Sequence, residues 1–386
     1  MGRAVFLLSL AAFASAASLR ATDPLLPQIA ADFSVTTGTA SAAVTAFALS
    51  YGLLQVVCGP LGDRYGRYRT IAAAACVSAF GSAACALAPS LDALVAARLV
   101  SGATIGAFIP LALAWIGDTV AYERRQPLLA RFLVGQMAGL AFGNAAAGWL
   151  GEHFGWRTIF YALAALLLVI ALLLFLELRA QPPAGGGRGA MRRSFQRMPR
   201  LLADARLQKL FATGYAEGLL ISGPFAFIAT ALQSRFAIGP GLSGTVVAAW
   251  AAGGLLYALL ARRAVRRLGE QGMVALGGAA LALGYTGLAF SGSLILSTLS
   301  IATVGAGFYM FHTTVQIHIT QVAPEARGSA VALFATFLFL GQASGVWLAA
   351  RVLDAAGAAP VFLGAALGLA ALAAAFRYFL SGGGGT

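Results

Sequence analysis

Charge is scarce in this sequence of 386 residues. Only 10% of the residues are Asp, Glu, Lys or Arg, whereas soluble domains carry roughly 25%. Hydrophobic residues make up 60% of the chain, and its mean hydropathy is +0.83. This composition excludes an ordinary soluble domain and predicts a protein that lies almost entirely in lipid.

Cysteine and histidine are also few, with three of each. The cysteines lie in or beside apolar runs, which favours small apolar packing roles and predicts no disulfide. His312 and His318 would face different sides of a helix, unlike a metal-binding pair one turn apart. The sequence shows no nucleotide-binding loop, metal-ligand spacing or Ser-His-Asp set. We therefore predict no enzymatic activity and no cofactor.

Acidic residues number 13 against 26 basic ones, which gives a net charge of +13. Such a surplus can indicate nucleic-acid binding. Here the arginines lie between apolar runs, and no basic face with interleaved aromatic residues occurs, so nucleic-acid binding is excluded. We expect membrane lipids to be the partners of these arginines.

Long apolar runs are abundant. Twelve runs of about 20 residues, the length that crosses a bilayer, alternate with short loops. The predicted spans lie near residues 4–30, 40–58, 71–90, 92–115, 129–150, 158–178, 208–231, 241–261, 272–291, 294–318, 329–349 and 359–380. The first run, with Arg3 and Ala14-Ser15-Ala16, also has features of a cleavable signal peptide. We interpret it as a span that ends or bends at Asp23-Pro24, because eleven more follow.

The positions of the basic residues predict the orientation. Twenty-one of the 26 lie in the tails and in every second loop, whereas Arg157, Arg235 and Arg351 lie in the other loops. By the positive-inside rule both termini are cytoplasmic. We expect the protein in the cell membrane, specifically the bacterial inner membrane.

The chain divides into two predicted halves of six helices each. We assign residues 1–180 to the N-terminal bundle, 181–206 to a basic cytoplasmic linker, 207–380 to the C-terminal bundle and 381–386 to a disordered tail. Part of 190–205 is predicted to form an amphipathic helix on the membrane surface.

The most specific pattern lies between the second and third runs. Residues 59–69 read Gly-Pro-Leu-Gly-Asp-Arg-Tyr-Gly-Arg-Tyr-Arg. We predict a turn in which Gly59, Gly62 and Gly66 allow close backbone passage or strained dihedrals. Asp63 is predicted to begin the next helix, where an anion is favoured. Residues 262–270 form a degenerate repeat of this pattern, with arginines and a glycine but no Asp, which indicates duplicated halves.

This stretch resembles the signature loop between helices 2 and 3 of the major facilitator superfamily. The pattern G-x-L-x-D-R-x-G-R is carried by Gly59, Leu61, Asp63, Arg64, Gly66 and Arg67. The resemblance implies an all-α membrane protein with twelve transmembrane helices in two pseudo-symmetric bundles, the major facilitator fold. It also implies a latch, in which Asp63 bonds the end of helix 11 near Arg327-Gly328 in one state. The alternative is a basic turn that only sets topology.

Two acids, Asp23 and Glu217, are predicted well inside spans. An ionisable group there costs about 2.5–3.5 kcal/mol and usually faces a polar cavity, so both are candidates for proton coupling or substrate binding. Arg20 can share a helix face with Asp23, and a purely structural ion pair is the alternative. Glu217 has no basic neighbour on its own helix, and the alternative is a hydrated position near the helix end. Gly223-Pro224 is predicted to kink that helix.

Other motifs add candidates. Asp23, four residues before Pro27, resembles the helix 1 motif of drug-exporting facilitators. Arg98 begins a segment that resembles the R-x-x-x-G motif of helix 4, whose Arg is associated with proton coupling; a structural partner for helix 1 is the alternative. Glycines every four residues from Gly135 predict close packing of the fifth span and resemble an antiporter motif, although Asn144 replaces its Pro. The remaining polar cavity candidates are Gln55, Gln136, Asn144, Tyr309 and His312, and a hydrogen-bonded structural role is the alternative for His312. Four aromatic residues could line an apolar cavity, with plain packing as the alternative: Phe225, Phe227, Phe308 and Phe311.

The resemblance implies secondary active transport by alternating access. We expect a monomer that exports small, partly apolar compounds in exchange for protons, as in the drug:proton antiporter branch associated with multidrug resistance. The proton gradient would be the energy source. A proton symporter or uniporter that imports a metabolite is the nearest alternative. A non-transporting membrane sensor is the alternative of another class.

Overall fold

The protein is described by a computed structural model covering residues 2–120, 122–178, 196, 198–322 and 326–382, in which every regular element is helical. The N-terminal half contains α1 Gly2–Arg20, α2 Leu26–Asp32, α3 Thr37–Ala40, α4 Ala42–Tyr65, α5 Arg67–Ala86, α6 Leu91–Ile105, α7 Phe108–Thr119, α8 Tyr122–Phe154 and α9 Arg157–Glu177. The C-terminal half contains α10 Ala205–Glu217, α11 Gly223–Phe225, α12 Ile228–Phe236, α13 Pro240–Val247, α14 Ala249–Phe290, α15 Leu294–Val322, α16 Arg327–Ala356 and α17 Ala358–Gly382.

Ten helical segments among the described residues are long and apolar enough to cross a membrane, so the chain is a multi-pass membrane protein. One of them, Pro240–Phe290, has 51 residues. That is about 75 Å of helix, more than twice the roughly 30 Å hydrocarbon core of a bilayer. Its backbone breaks at Gly269, where φ is 61° and ψ is −175°. Together with α8, a further helix of 33 residues, this agrees with the predicted arrangement of twelve crossings.

The first span is interrupted in its interior, as predicted. Helix α1 ends at Arg20, and a 3₁₀ turn, Asp23–Leu25, precedes α2. Pro24 lies in the first turn of this segment, where its missing N–H costs least. The break brings two charged side chains, Arg20 and Asp23, to irregular backbone inside the molecule.

The seventh span is interrupted as well. Helix α10 ends at Glu217 and continues as a π-helical segment, Gly218–Ser222, before the short α11 that contains Pro224. The α-helix resumes only at Ile228. The interruption predicted at Gly223-Pro224 is therefore present, and it begins one turn earlier as a π-bulge, a feature that often marks functional sites.

The predicted turn at residues 59–69 is shorter than expected. Helix α4 continues through Pro60 to Tyr65, and only Gly66, with φ of 91°, has a left-handed backbone. Asp63 therefore lies in the last turn of α4 rather than at the start of α5, which corrects the prediction. Gly62 does provide close approach, because a Cβ there would lie 2.5 Å from Leu111 Cδ2, whereas Gly59 faces open space.

Corresponding helices of the two halves end alike. We call the end of the molecule that carries residues 59–69 the basic side. There the second and third spans turn at Gly66, and the eighth and ninth turn at Gly269. At the opposite side, α8 ends with Glu152-His-Phe before Gly155 at φ 83°, and α16 ends with Asp354-Ala-Ala before Gly357 at φ 81°.

Those two acids join the halves at the opposite side. Asp354 accepts hydrogen bonds from Thr36 Oγ1 at 2.6 Å and from the Gly38 amide at 3.0 Å, at the start of α3. Glu152 accepts one from the Gly241 amide at 2.8 Å, at the start of α13. Free N–H groups at helix starts favour carboxylates. Each acid thus caps a helix of the other half, and we call these contacts the two carboxylate caps.

Packing within the N-terminal half follows the glycine pattern of the fifth span. A Cβ at Gly135, Gly139 or Gly143 would press on the backbone of α1 at Ser9, Phe13 or Ala17, respectively. The face predicted for close packing is therefore the face that meets α1, and small residues allow the two helices to approach.

Two predicted segments, the linker and the C-terminal tail, lie partly outside the described residues. Most of the linker at 181–206, and residues 383–386 of the tail, are not among the described residues. Residues 198–203 are helical, and Asp204 then caps α10 by accepting hydrogen bonds from the amides of Arg206 and Leu207. Helix α17 runs to Gly382, so the predicted disordered tail does not begin at Ser381.

Candidate functional site: a polar and aromatic cluster between the halves

Asp23 and Arg20 form a buried pair in the interrupted first span. Arg20 Nη1 donates to Asp23 Oδ2 at 3.4 Å, and the two residues are 8% and 1% exposed. The second oxygen of Asp23, Oδ1, is buried without a hydrogen-bond partner among the described residues. The pairing expected between these residues is present, and it leaves half of the carboxylate unsatisfied.

Arg98 lies behind this pair on α6, 1% exposed. Its Nε donates to the Ala43 carbonyl at 3.3 Å and its Nη1 to the Ser18 carbonyl at 3.2 Å. The guanidinium lies 3.9 Å from the ring centre of Phe47, a favourable cation–π distance. Arg98 also acts electrostatically on Asp23. It therefore ties α1 and α4 to α6 and adds positive charge beside Asp23.

Glu217 and His312 form the corresponding buried pair of the C-terminal half. Their side chains, on α10 and α15, approach to 2.8 Å between Glu217 Oε1 and His312 Nδ1. Glu217 is completely buried, so it does not occupy the hydrated position considered as its alternative. Its Oε2 has no hydrogen-bond partner among the described residues. Each half thus holds one buried acid, paired through one oxygen with a base from the same half.

A row of aromatic rings connects the two pairs. Arg20 lies 4.4 Å from the ring centre of Phe225, which contacts Trp250 at 5.8 Å. Trp250 packs against Phe308 at 5.3 Å, and Phe308 stacks on His312 at 4.9 Å. We call this row the aromatic wall. It gives the space between the two charged pairs a flat, apolar side.

Tyr309 flanks the aromatic wall. Its ring centre lies 5.2 Å from both Trp250 and Phe308, and a Cβ at Gly254 would press on the tyrosine ring. Arg20 acts electrostatically on the Tyr309 hydroxyl, which places the two in one neighbourhood. Tyr309 therefore lies beside the middle of the aromatic wall, whereas His312 lies at the opposite end of the wall from Arg20.

A pocket opens at the boundary between the halves. It is partly open to solvent and is lined by Arg20, Leu140, Ala141, Asn144, Phe225, Val247, Ala248, Trp250 and Ala251. Asn144 is 2% exposed, and its Oδ1 is buried without a hydrogen-bond partner in the described part of the chain. Gln136 is half-buried two turns away on the same helix face as Leu140 and Asn144.

The basic-side loop is separate from this cluster. Asp63 Oδ1 accepts from Arg67 Nη2 at 3.3 Å, and Arg67 Nη1 donates to the Ala114 carbonyl at 2.6 Å and pairs with Asp118. Arg64 lies over the Tyr65 ring. Between the described residues, no hydrogen bond joins Asp63 to α16, and the Cβ position of Gly328 faces open space.

Three features escaped sequence reasoning. The Glu217–His312 pair joins residues 95 positions apart, and no local pattern connects them. Trp250 lies in an apolar run and gives no polar signal. The carboxylate caps had a signal, the matching Glu152-x-x-Gly155 and Asp354-x-x-Gly357 at the ends of equivalent helices, which comparison of the two halves could have found.

This arrangement, a multi-pass helical protein with buried charged pairs at the boundary of two halves, is that of a membrane transporter. The chain matches the family model of the Major Facilitator Superfamily over residues 8–346, and it belongs to that family. It is accordingly a transporter and not an enzyme.

Individual relatives agree with this assignment. The chain is 27% identical to the putative uncharacterized transporter YgaY of Escherichia coli strain K12, over 97% of this chain and 95% of that protein. The Multidrug export protein EmrB of Haemophilus influenzae is 27% identical over 40% of this chain and 30% of that protein. The crystal structure of nucleoside transporter NupG matches with a TM-score of 0.79 at 15% identity, over 98% and 99% of the two chains.

Proposed function

We propose that this transporter exports small, partly apolar compounds in exchange for protons. The observation that carries the proposal is the pair of buried acids, Asp23 and Glu217, one in each half, at the two ends of the aromatic wall. Each acid has one oxygen without a partner among the described residues. A buried carboxylate in this position can take up a proton, and protonation would change its attraction to Arg20 or His312.

The contacts between the halves support alternating access. The two carboxylate caps join the halves at the opposite side, and Thr336 Oγ1 donates to the Gly52 carbonyl nearer the middle. Among the described residues, no hydrogen bond between halves lies at the level of residues 59–69. We infer that this is the state closed at the opposite side, with Asp63 released from α16.

Proton binding would supply the free energy that shifts the two states. A bound proton changes an equilibrium only if its affinity differs between the states. Separating the halves would expose the aromatic wall and Glu217 to water, which changes the cost of ionising the carboxylate. We place both termini and the basic side in the cytoplasm of a bacterial inner membrane, with the chain acting as a monomer.

Flux through proteoliposomes tests the direction and the coupling. Vesicles holding the purified full-length protein are loaded with naphthalene-2-sulfonate or with trimethyl(2-naphthyl)ammonium, both permanently charged, and an inward proton gradient is imposed. Antiport empties the vesicles of one of these probes faster with the gradient than without it. Gradient-driven accumulation would show symport, and loss independent of the gradient would show uniport; either result contradicts the proposal.

A further inference from the structure

The charge of the pocket lining carries an inference about the transported compound, and it rests on the pocket of the proposed function. Of the nine residues that line the pocket, Arg20 is the only charged one. Asp23 and Glu217 are not among the lining residues. The group that a ligand meets first is therefore a cation, and both acids lie behind their own bases.

Most N–H donors of Arg20 make no hydrogen bond to the described residues. A guanidinium carries five N–H groups, and among the described residues the hydrogen bonds of Arg20 go to Asp23 alone, through one nitrogen at 3.4 Å. Its guanidinium carbon lies 4.4 Å from the ring centre of Phe225, a contact that restrains the side chain beside the pocket. Guanidinium N–H groups in a fixed plane are suited to bind the oxygens of an anionic group.

The surrounding charges favour an anion as well. In the N-terminal half, Arg20 and Arg98 outweigh the single carboxylate of Asp23, which leaves one positive charge in excess. In the C-terminal half, Glu217 is paired with His312 at 2.8 Å and is completely buried. A cationic ligand would therefore enter a pocket whose charged lining residue, Arg20, is positive.

The other residues that line the pocket favour a ligand with a flat, apolar part. Phe225 and Trp250 present rings, and the lining residues other than these two, Arg20 and Asn144 carry only small or aliphatic side chains. A planar ring that packs on Trp250 and Phe225 would place its charged substituent at the Arg20 guanidinium.

We propose that this pocket binds a small aromatic anion, with the anionic group on the Arg20 guanidinium and the ring against Trp250 and Phe225.

Equilibrium binding tests this with three probes that share one ring system. Naphthalene-2-sulfonate, neutral naphthalene-2-sulfonamide and trimethyl(2-naphthyl)ammonium are titrated into the full-length protein in lipid nanodiscs, with no proton gradient. We expect the anion to bind at least about tenfold more tightly than the cation, because the guanidinium donates hydrogen bonds to the sulfonate and repels the ammonium. Tighter binding of the cation, equal binding of all three, or binding of none would overturn the proposal.

Variants locate the site. Arg20→Gln is expected to abolish the preference for the anion, Arg20→Lys to retain part of it, and Trp250→Leu to weaken all three probes. Arg351→Gln removes an exposed arginine that lies over Trp347 on the surface, and it should change nothing. If Arg20→Gln does not fold, the order of the affinities of the three probes for the wild-type protein still tests whether the pocket prefers an anion. Binding selectivity is measured without a proton gradient. The preference for the anion can therefore be disproved while proton coupling is confirmed, and proton coupling can be disproved while the preference for the anion is confirmed.

Discussion

At the scale of the residue, the site depends on buried charges whose environments differ from those of similar surface pairs. Glu217 and His312 are hydrogen-bonded at 2.8 Å in the interior, whereas His318 Nε2 lies 3.1 Å from an oxygen of the half-exposed Glu270 without a hydrogen bond. Water competes with the second pair and not with the first. The chain therefore contains its own control for the contribution of a buried Glu–His contact.

Glu217→Gln should uncouple transport from protons. The amide keeps the size of the side chain and a hydrogen bond to His312, but it cannot bind and release a proton. We expect gradient-driven flux of the probe that the wild type transports to fall by at least about tenfold, the equivalent of 1.4 kcal/mol. Exchange of that probe without a gradient should continue.

Glu270→Gln is the matched control and should leave gradient-driven flux unchanged. Equal loss in both variants, or full coupling in Glu217→Gln, would exclude Glu217 as the proton carrier.

Asp63→Asn tests the latch. Asp63 bonds only Arg67 in the described structure, and Arg67 also holds Ala114 and Asp118. Because the pair is partly exposed, we expect a change in stability of no more than about 1 kcal/mol by thermal unfolding. Transport should nevertheless fall by about tenfold or more, since the state in which Asp63 would bond α16 is weakened. Asp92→Asn, an exposed acid in the first turn of α6, should transport normally. Normal transport by Asp63→Asn would refute the latch.

At the scale of the element, glycine positions decide how closely the helices approach. Gly139 of α8 lies against the backbone of α1 at Phe13, and Gly364 of α17 faces open space. Both are helical glycines, so their replacement by alanine has the same effect on helix propensity and different effects on packing.

Gly139→Ala should destabilise the protein, and Gly364→Ala should not. The methyl group at position 139 meets the backbone of α1, and overpacking costs typically about 1–3 kcal/mol. At position 364 alanine is expected to be neutral or to stabilise by up to about 1 kcal/mol, because glycine is the poorer helix former. Thermal unfolding in one detergent compares the two. Equal melting temperatures would mean that α1 and α8 have room to separate.

Element positions followed from sequence because apolar runs of membrane length allow few other structures. Their ends were less predictable. Three glycines at residues 59–69 predicted a long turn, but Pro60 and Gly62 lie within α4, which ends only at Tyr65. Which polar residues meet could be predicted only within one helix, as for Arg20 and Asp23. The partner of Glu217 and the place of Trp250 depend on how distant helices pack, which no local spacing encodes.

At the scale of the whole molecule, the carboxylate caps join the halves by the same device used twice. Glu152 lies two residues before the end of α8, and Asp354 lies two residues before the end of α16. Each reaches the first turn of a helix in the other half. The caps stabilise one state of the transporter, so their removal should favour the other.

Glu152→Gln and Asp354→Asn should each shift the protein toward opening at the opposite side. A charged cap at a helix start contributes about 0.3–1 kcal/mol, so each variant should raise the open-to-closed ratio about two- to fivefold. Spin labels at the exposed Pro89 and Gly292, in loops of different halves at that side, would report the distance in a background without native cysteines. The double variant should combine both effects, because the caps are separate. An unchanged distance distribution in the double variant would show that the caps do not hold the halves together.

The carboxylate caps also link the hydrogen bonding of the first turns of α3 and α13 to the closed state. Gly239 precedes α13 and has no side chain, so the first turn of that helix relies on Glu152 across the boundary. Whenever the halves part there, the amides of Gly38 and Gly241 pass from a carboxylate to water. Hydrogen–deuterium exchange at these two amides would then count opening events, and locking the protein closed would slow it at both places together.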